Sequence, residues 1–244
     1  SHLHCVSNAD AAGRVCQMGE EASRIVITGA PGLDTMLMVD QIPRVDFFQE
    51  LGLLDNGPLR LVTVHPETNS TDMLHAGKSV VEALTQTAGP PTIITAPNSD
   101  PGGNELMALM TGFCQQAPNT VFRATLGAHL YVNAMRHAAV MIGNSSSGII
   151  EAPLFGLPVI NVGNRQLGRL QGPNVRNCES DVPQIIDQLN EILAGHSNQN
   201  AASYPYGDGA AASRIANAIL DQDDLKSLLN KSFADDTAKF VNPW

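Results

Sequence analysis

Several stretches of this sequence carry side chains able to hold an anion or move a proton, and each follows a short apolar run. The richest is Gly143-Asn144-Ser145-Ser146-Ser147-Gly148. Small residues let backbone N–H groups approach an anion, and the serine hydroxyls add donors at a helix start, so a diphosphate fits such a loop. Ser and Asn are also preferred N-caps of ordinary helices, and the loop alone leaves both readings open. Arg165 tips the balance. It falls one strand–helix unit later, beside the serine loop, and offers a forked, permanently charged grip on phosphate oxygens.

Glu151 follows that loop within an apolar stretch, Ile149-Ile150 before it and Ala152-Pro153-Leu154-Phe155 after it. A carboxylate there is costly without a partner. It reads either as an acceptor for the two hydroxyls of a ribose or as a charge answering the helix dipole, about two turns into the helix. His65, at a strand end and held by Pro66, is placed to donate to a phosphate or to transfer a proton near neutral pH. Asn98 and Asp100 lie in Pro97-Asn98-Ser99-Asp100-Pro101-Gly102-Gly103, where Asp100 touches sugar or base, or merely builds an Asx turn. His75, His129, His137 and His196 receive no role. His2 and His4 alternate along a strand and so face opposite sides, which argues against joint metal binding.

These loops need a frame that brings them together. A short apolar, often β-branched run, then a loop of Gly, Pro, Asn or Ser, then an amphipathic helix recur along the chain, the pattern of a parallel α/β sheet. Strands are expected over residues 2–6, 24–28, 59–64, 92–95, 121–124, 139–142 and 158–162. Helices are expected over 72–87, 105–115, 130–137, 182–193 and 210–220. Ligands of such sheets bind beyond the C-terminal strand ends, where these loops fall. Gly29-Ala30-Pro31-Gly32 interrupts the pattern and marks a boundary. Residues 1–28 read as the remnant of a first domain, 29–35 as a linker, 36–220 as a second domain and 221–244 as a tail, with a soft segment over 195–209.

The chain has 244 residues, 43% of them hydrophobic, which suits a soluble globular protein with a real core. A formal net charge of −10 with only 14 Lys and Arg argues against a nucleic-acid partner, which needs clustered basic residues. No apolar run approaches the roughly 18 residues of a membrane span, and no basic, apolar signal opens the chain, so a cytoplasmic location is expected. Cys5, Cys16, Cys114 and Cys178 lack metal-site spacing and read as reduced thiols packed like small apolar side chains.

The blocks Ser1-His2-Leu3-His4, Gly29-Ala30-Pro31-Gly32-Leu33-Asp34, His65-Pro66-Glu67-Thr68, Pro97-Asn98-Ser99-Asp100, the run from Gly143 to Pro153, Arg165-Gln166-Leu167-Gly168-Arg169 and Tyr206-Gly207-Asp208-Gly209 together resemble the UDP-N-acetylglucosamine 2-epimerases, above all the hydrolysing branch. The blocks follow family order up to about residue 220. The Asn-Ser-Ser block with Arg-Gln-x-Gly-Arg is specific, whereas the Gly-Asp-Gly turn alone is weak.

The resemblance implies two Rossmann-like domains of the glycosyltransferase-B type with a UDP-sugar between them, and this chain as the C-terminal half, the N-terminal domain largely absent. It implies Ser145 and Ser146 on the diphosphate, Glu151 on the ribose, Arg165 on the phosphate side, and His65 and Asn98 lining the cleft. A protonated His65 would share the phosphate's charge with the helix N-terminus and Arg165. The general acid and base carboxylates of the family lie in its first domain, before any residue present here, so the chain alone is expected to be weak or inactive. No cofactor or metal is implied, and family members are often dimers or tetramers. Three other readings stay open: a non-hydrolysing epimerase, a glycosyltransferase of like architecture, and a non-catalytic UDP-sugar sensor.

Overall fold

The computed structural model describes residues 1–195, 205–222 and 226–234. His196, the centre of the segment 195–209 and most of the tail lie outside the described residues.

The chain forms two compact units. The first takes Ser1–Met38 and the described residues from Pro205 onward. It opens with β1 (His4–Val6), α1 (Ala9–Gln17), β2 (Ile25–Ile27) and α2 (Gly32–Leu37). β1 and β2 pair in parallel. Helix α1 buries no residue and was not expected from the sequence pattern. Cys5 and Cys16 are exposed rather than packed inside, because β1 and α1 are surface elements; only Cys178 is buried and Cys114 partly so.

The second unit begins with α3 (Arg44–Leu51), a buried Phe47-Phe48 step ended by Gly52 in the left-handed region. Then come β3 (Leu59–Thr63), α4 (His75–Gln86), β4 (Thr92–Thr95), α5 (Gly103–Gln116), β5 (Thr120–Arg123), α6 (Gly127–His137) and β6 (Ala138–Gly143). Next follow α7 (Ser146–Ile150), a 3-10 turn over Ala152–Phe155, β7 (Val159–Val162), β8 (Val175–Cys178) and α8 (Val182–Leu193). The six strands pair in parallel in the order β5-β4-β3-β6-β7-β8. β8 was not expected, since Arg176 and Asn177 dilute the apolar pattern at a sheet edge.

Successive strand residues face opposite sides, so each strand needs apolar residues throughout. Val62, Ile94, Ile142 and Ile160 pack with Val80 and Leu84 of α4, Leu106 and Met110 of α5, and Ile185 and Leu189 of α8. Asp181 caps α8 by accepting from the Gln184 N–H. At the opposite sheet face, His137 Nε2 lies 2.8 Å from the Ile42 carbonyl and its ring meets Phe47 at 5.0 Å, a structural role for a histidine given none in sequence.

The last helix, α9 (Ala211–Leu220), packs with α2 in the first unit rather than with the sheet that precedes it. Asp34, buried in α2, joins the two helices: its carboxylate accepts from the N–H of Ala211 at 2.9 Å and of Ala212 at 2.6 Å. Within residues 29–35 the chain enters α2 at Gly32. The Tyr206 carbonyl accepts from the Ala30 N–H at 2.7 Å, and a Cβ on Gly207 would meet the Gly29 Cα at 2.9 Å. Two glycine blocks far apart in sequence thus meet backbone to backbone.

Candidate functional site

From β3 the chain winds outward through β4 to β5, then returns to lay β6 against the other edge of β3 and winds away. The strand order reverses at the β3–β6 step, where the loops diverge and leave a crevice. His65 follows β3 and Asn144 follows β6. Asn144 is 0% exposed, and it binds His65 at both backbone groups. Its Oδ1 accepts from the His65 N–H at 2.7 Å, and its Nδ2 donates to the His65 carbonyl at 2.9 Å.

The Asn144 carbonyl in turn accepts from Gln166 Nε2 at 2.8 Å and Arg165 Nη1 at 3.2 Å. Glu67 Oε1 accepts from the backbone N–H of Asn164 at 2.9 Å and of Arg165 at 3.1 Å. Three loops separated by up to a hundred residues are thereby held as one surface. Arg165 forms no ion pair among the described residues, which leaves most of its five donors for a ligand.

An open cleft of about 540 Å³ lies over the switch point, and all six candidate residues line it: His65, Asn98, Ser145, Ser146, Glu151 and Arg165. Thr63, Thr95, Tyr131 and Ser147 complete its floor with hydroxyls. Asp100 does not line it; its carbonyl accepts from the Gly103 N–H at 2.8 Å in the turn that starts α5.

Two features differ from the sequence expectation. Helix α7 has only five residues, and Glu151 is its C-cap rather than a residue two turns inside. Pro153 lacks an N–H and its ring would clash with the Ile149 carbonyl, so the helix stops and a 3-10 turn takes over. So short a helix sums few peptide dipoles, and its N-terminus by itself offers an anion little.

His65, 7% exposed, is neutral rather than protonated. Its Nδ1 accepts from the Asn98 N–H at 3.0 Å, so its single proton is on Nε2. Burial first, and then the charge of Arg165, lower its pKa to about 4, against the pull of Asp100. Burial alone raises the pKa of Glu151.

The lowered histidine makes a sign-defined prediction. In the unfolded chain His65 takes up a proton near pH 6.5, while the folded chain resists until about pH 4, so the unfolded state binds more protons between these values. Stability contributed by neutral His65 is present above pH 6.5 and lost as pH falls. Between pH 7.5 and 5 the loss should be about 1–2 kcal/mol larger in the wild type than in His65→Gln, by urea denaturation. Equal losses in the two proteins would contradict the assignment.

Sequence reading passed over Asn144, Glu67, Gln166 and Tyr131 as contributors. Tyr131 left one signal: a phenol on the apolar face of a helix needs a polar partner. Its partner is Ser147, 2.6 Å away.

The fold is a doubly wound parallel α/β sheet with a hydroxyl-lined, arginine-bearing cleft at its switch point. The particular family follows from comparison: residues 1–220 match the UDP-N-acetylglucosamine 2-epimerase family, and the chain belongs to it. It is 31% identical over 238 residues to the Campylobacter jejuni GDP/UDP-N,N'-diacetylbacillosamine 2-epimerase (hydrolyzing), covering 96% of this chain and 62% of that protein. It is likewise 31% identical over 234 residues to the Legionella pneumophila UDP-N,N'-diacetylbacillosamine 2-epimerase (hydrolyzing), covering 95% and 60%. A crystal structure of the Neisseria meningitidis UDP-GlcNAc 2-epimerase bound to UDP-GlcNAc superposes with a TM-score of 0.72 at 18% identity, over 91% of this chain and 62% of that one. The fold is that of the glycosyltransferase-B type, and the chain spans about six tenths of the length of the curated relatives it matches. Among the described residues no helix is long and apolar enough to cross a membrane.

Proposed function

We propose that this chain binds the UDP portion of a UDP-linked N-acetylated amino sugar, and that the whole protein is a hydrolysing 2-epimerase acting on UDP-GlcNAc or a related UDP-diacetamido sugar. The observation that carries the reading is the convergence of His65, Asn98, Ser145, Ser146, Glu151 and Arg165 on one switch-point cleft. The names of the Campylobacter and Legionella relatives favour the hydrolysing branch.

In this reading the Ser145 and Ser146 hydroxyls and the Arg165 guanidinium hold the diphosphate, and Glu151 accepts from the ribose hydroxyls. Neutral His65 donates from Nε2. The proton on sugar carbon 2 leaves with UDP departing from carbon 1, which gives a glycal. Water then adds hydroxyl at carbon 1 and a proton at the opposite face of carbon 2, and the products are the 2-epimeric free sugar and UDP. Donors prearranged around the departing phosphate stabilise the charge that develops there. The carboxylates that move the carbon-2 proton are assigned to the first domain of the whole protein, so the chain alone should turn over weakly or not at all.

Calorimetric titration with UDP tests the binding claim. Wild type should bind, and Arg165→Ala and Glu151→Ala should each weaken binding by about 1–3 kcal/mol, the worth of a charged hydrogen bond. No binding at millimolar UDP, or binding indifferent to both changes, would overturn the reading. For the whole protein, free sugar plus UDP marks the hydrolysing reaction, whereas an intact nucleotide sugar marks the non-hydrolysing one.

A further inference from the structure

We propose that Tyr131 is a positioning residue for phosphate recognition: acting through Ser147, it aims the one hydroxyl hydrogen of Ser145 into the cleft, toward a phosphate oxygen of the ligand. The proposal rests on the reading of this cleft as the diphosphate site and deepens it.

The number of available hydrogens fixes the direction of each contact. A serine hydroxyl has one hydrogen to donate and two lone pairs to accept with. Ser145 Oγ accepts from the Ser147 N–H at 3.4 Å and from the Ser147 hydroxyl at 3.1 Å. Both lone pairs are engaged, so what Ser145 still offers the cleft it lines is a donor. The Ser147 hydrogen is spent on Ser145, so in the 2.6 Å contact between Ser147 Oγ and the Tyr131 phenol, Tyr131 donates. The polarity of the chain is thereby set: Tyr131 to Ser147, Ser147 to Ser145, Ser145 to ligand.

Tyr131 lies in α6 next to buried Val132 and lines the cleft, with the Thr63 hydroxyl beside its phenol. Thr63 and Thr95 share a further hydroxyl contact at 2.7 Å. Burial pushes the phenol up to about 12, so it remains a donor throughout the neutral range. Ser147 is itself buried, which limits how well water can replace a lost phenol. A donor-only face suits phosphate oxygens, which accept and never donate when ionised, and it discriminates against ligand groups that require an acceptor at that place.

The test is a double-mutant cycle on the full chain, with UDP affinity read by calorimetry and uridine affinity by ligand-observed NMR. Tyr131→Phe should weaken UDP binding about three- to tenfold in the wild-type background and add nothing in the Ser145→Ala background, because the hydrogen it orients is already gone. Uridine, which lacks the phosphates, should bind the variant and wild type alike. Ser147→Ala, which cuts the same chain at its middle link, should reproduce both results if Tyr131→Phe folds poorly. A loss that persists undiminished in the Ser145→Ala background, or that is equal for uridine and UDP, would show a merely structural tyrosine and overturn the proposal. If wild type fails to bind UDP, or Ser145→Ala leaves UDP affinity unaltered, the diphosphate reading itself fails and the proposal with it.

Discussion

Asn144→Ala is expected to lower the folding free energy by about 2–6 kcal/mol, roughly 1–3 for each of two buried backbone groups left without a partner. The two groups are the N–H and the carbonyl of His65, which Asn144 satisfies with its side-chain oxygen and nitrogen. Water cannot substitute, because Asn144 is fully buried and His65 nearly so. The Asn144 carbonyl keeps its bonds from Arg165 and Gln166 in the variant, so the damage is confined to the β3–β6 join. Urea denaturation reads the effect. A change below about 0.5 kcal/mol, the range of an ordinary surface substitution, would mean the His65 loop is held by something else.

Gly143→Ala should be of similar size for a different reason. Gly143 pairs with Thr63 in the β3–β6 ladder at φ +138°, a conformation that side-chain-bearing residues rarely adopt. A Cβ at that position would overlap the Thr63 carbonyl oxygen. Backbone strain of about 1–3 kcal/mol and overpacking of about 1–3 kcal/mol add to a loss of roughly 2–6, or to a chain that does not fold. Gly112 is the comparison. It lies inside α5 with nothing within 4 Å of where a Cβ would stand, and Gly112→Ala should stabilise by about 0.5–1 kcal/mol. Both variants stable, or both unstable, would show that the close approach at Gly143 does not govern the effect.

The candidate site was legible in part because its residue types are local signals. A hydroxyl-rich loop after an apolar run, an arginine one unit later and a histidine at a strand end can be found without knowing the fold, and these residues do line one cleft. What sat in plain view without a role was Asn144, at the centre of the most informative block. Its importance comes from a partner 79 residues away, and no local pattern displays such a contact. Glu67 is similar: its carboxylate holds a loop 97 and 98 residues further on. His65 is the reverse case. Its residue type suggests a donor to phosphate or a proton carrier near pH 7, and burial together with the charge of Arg165, both tertiary facts, lowers its pKa to about 4.

The alternation of strand and helix, the apolar faces and the loop chemistry were determined by the sequence itself, because side-chain periodicity and turn residues act over a few positions. The strand order, the reversal at β3–β6, the seating of α9 against α2 and the protonation and direction of the cleft's hydrogen bonds were decided only in three dimensions. Each depends on desolvation and on pairing between segments distant along the chain, and neither quantity exists until the chain has folded.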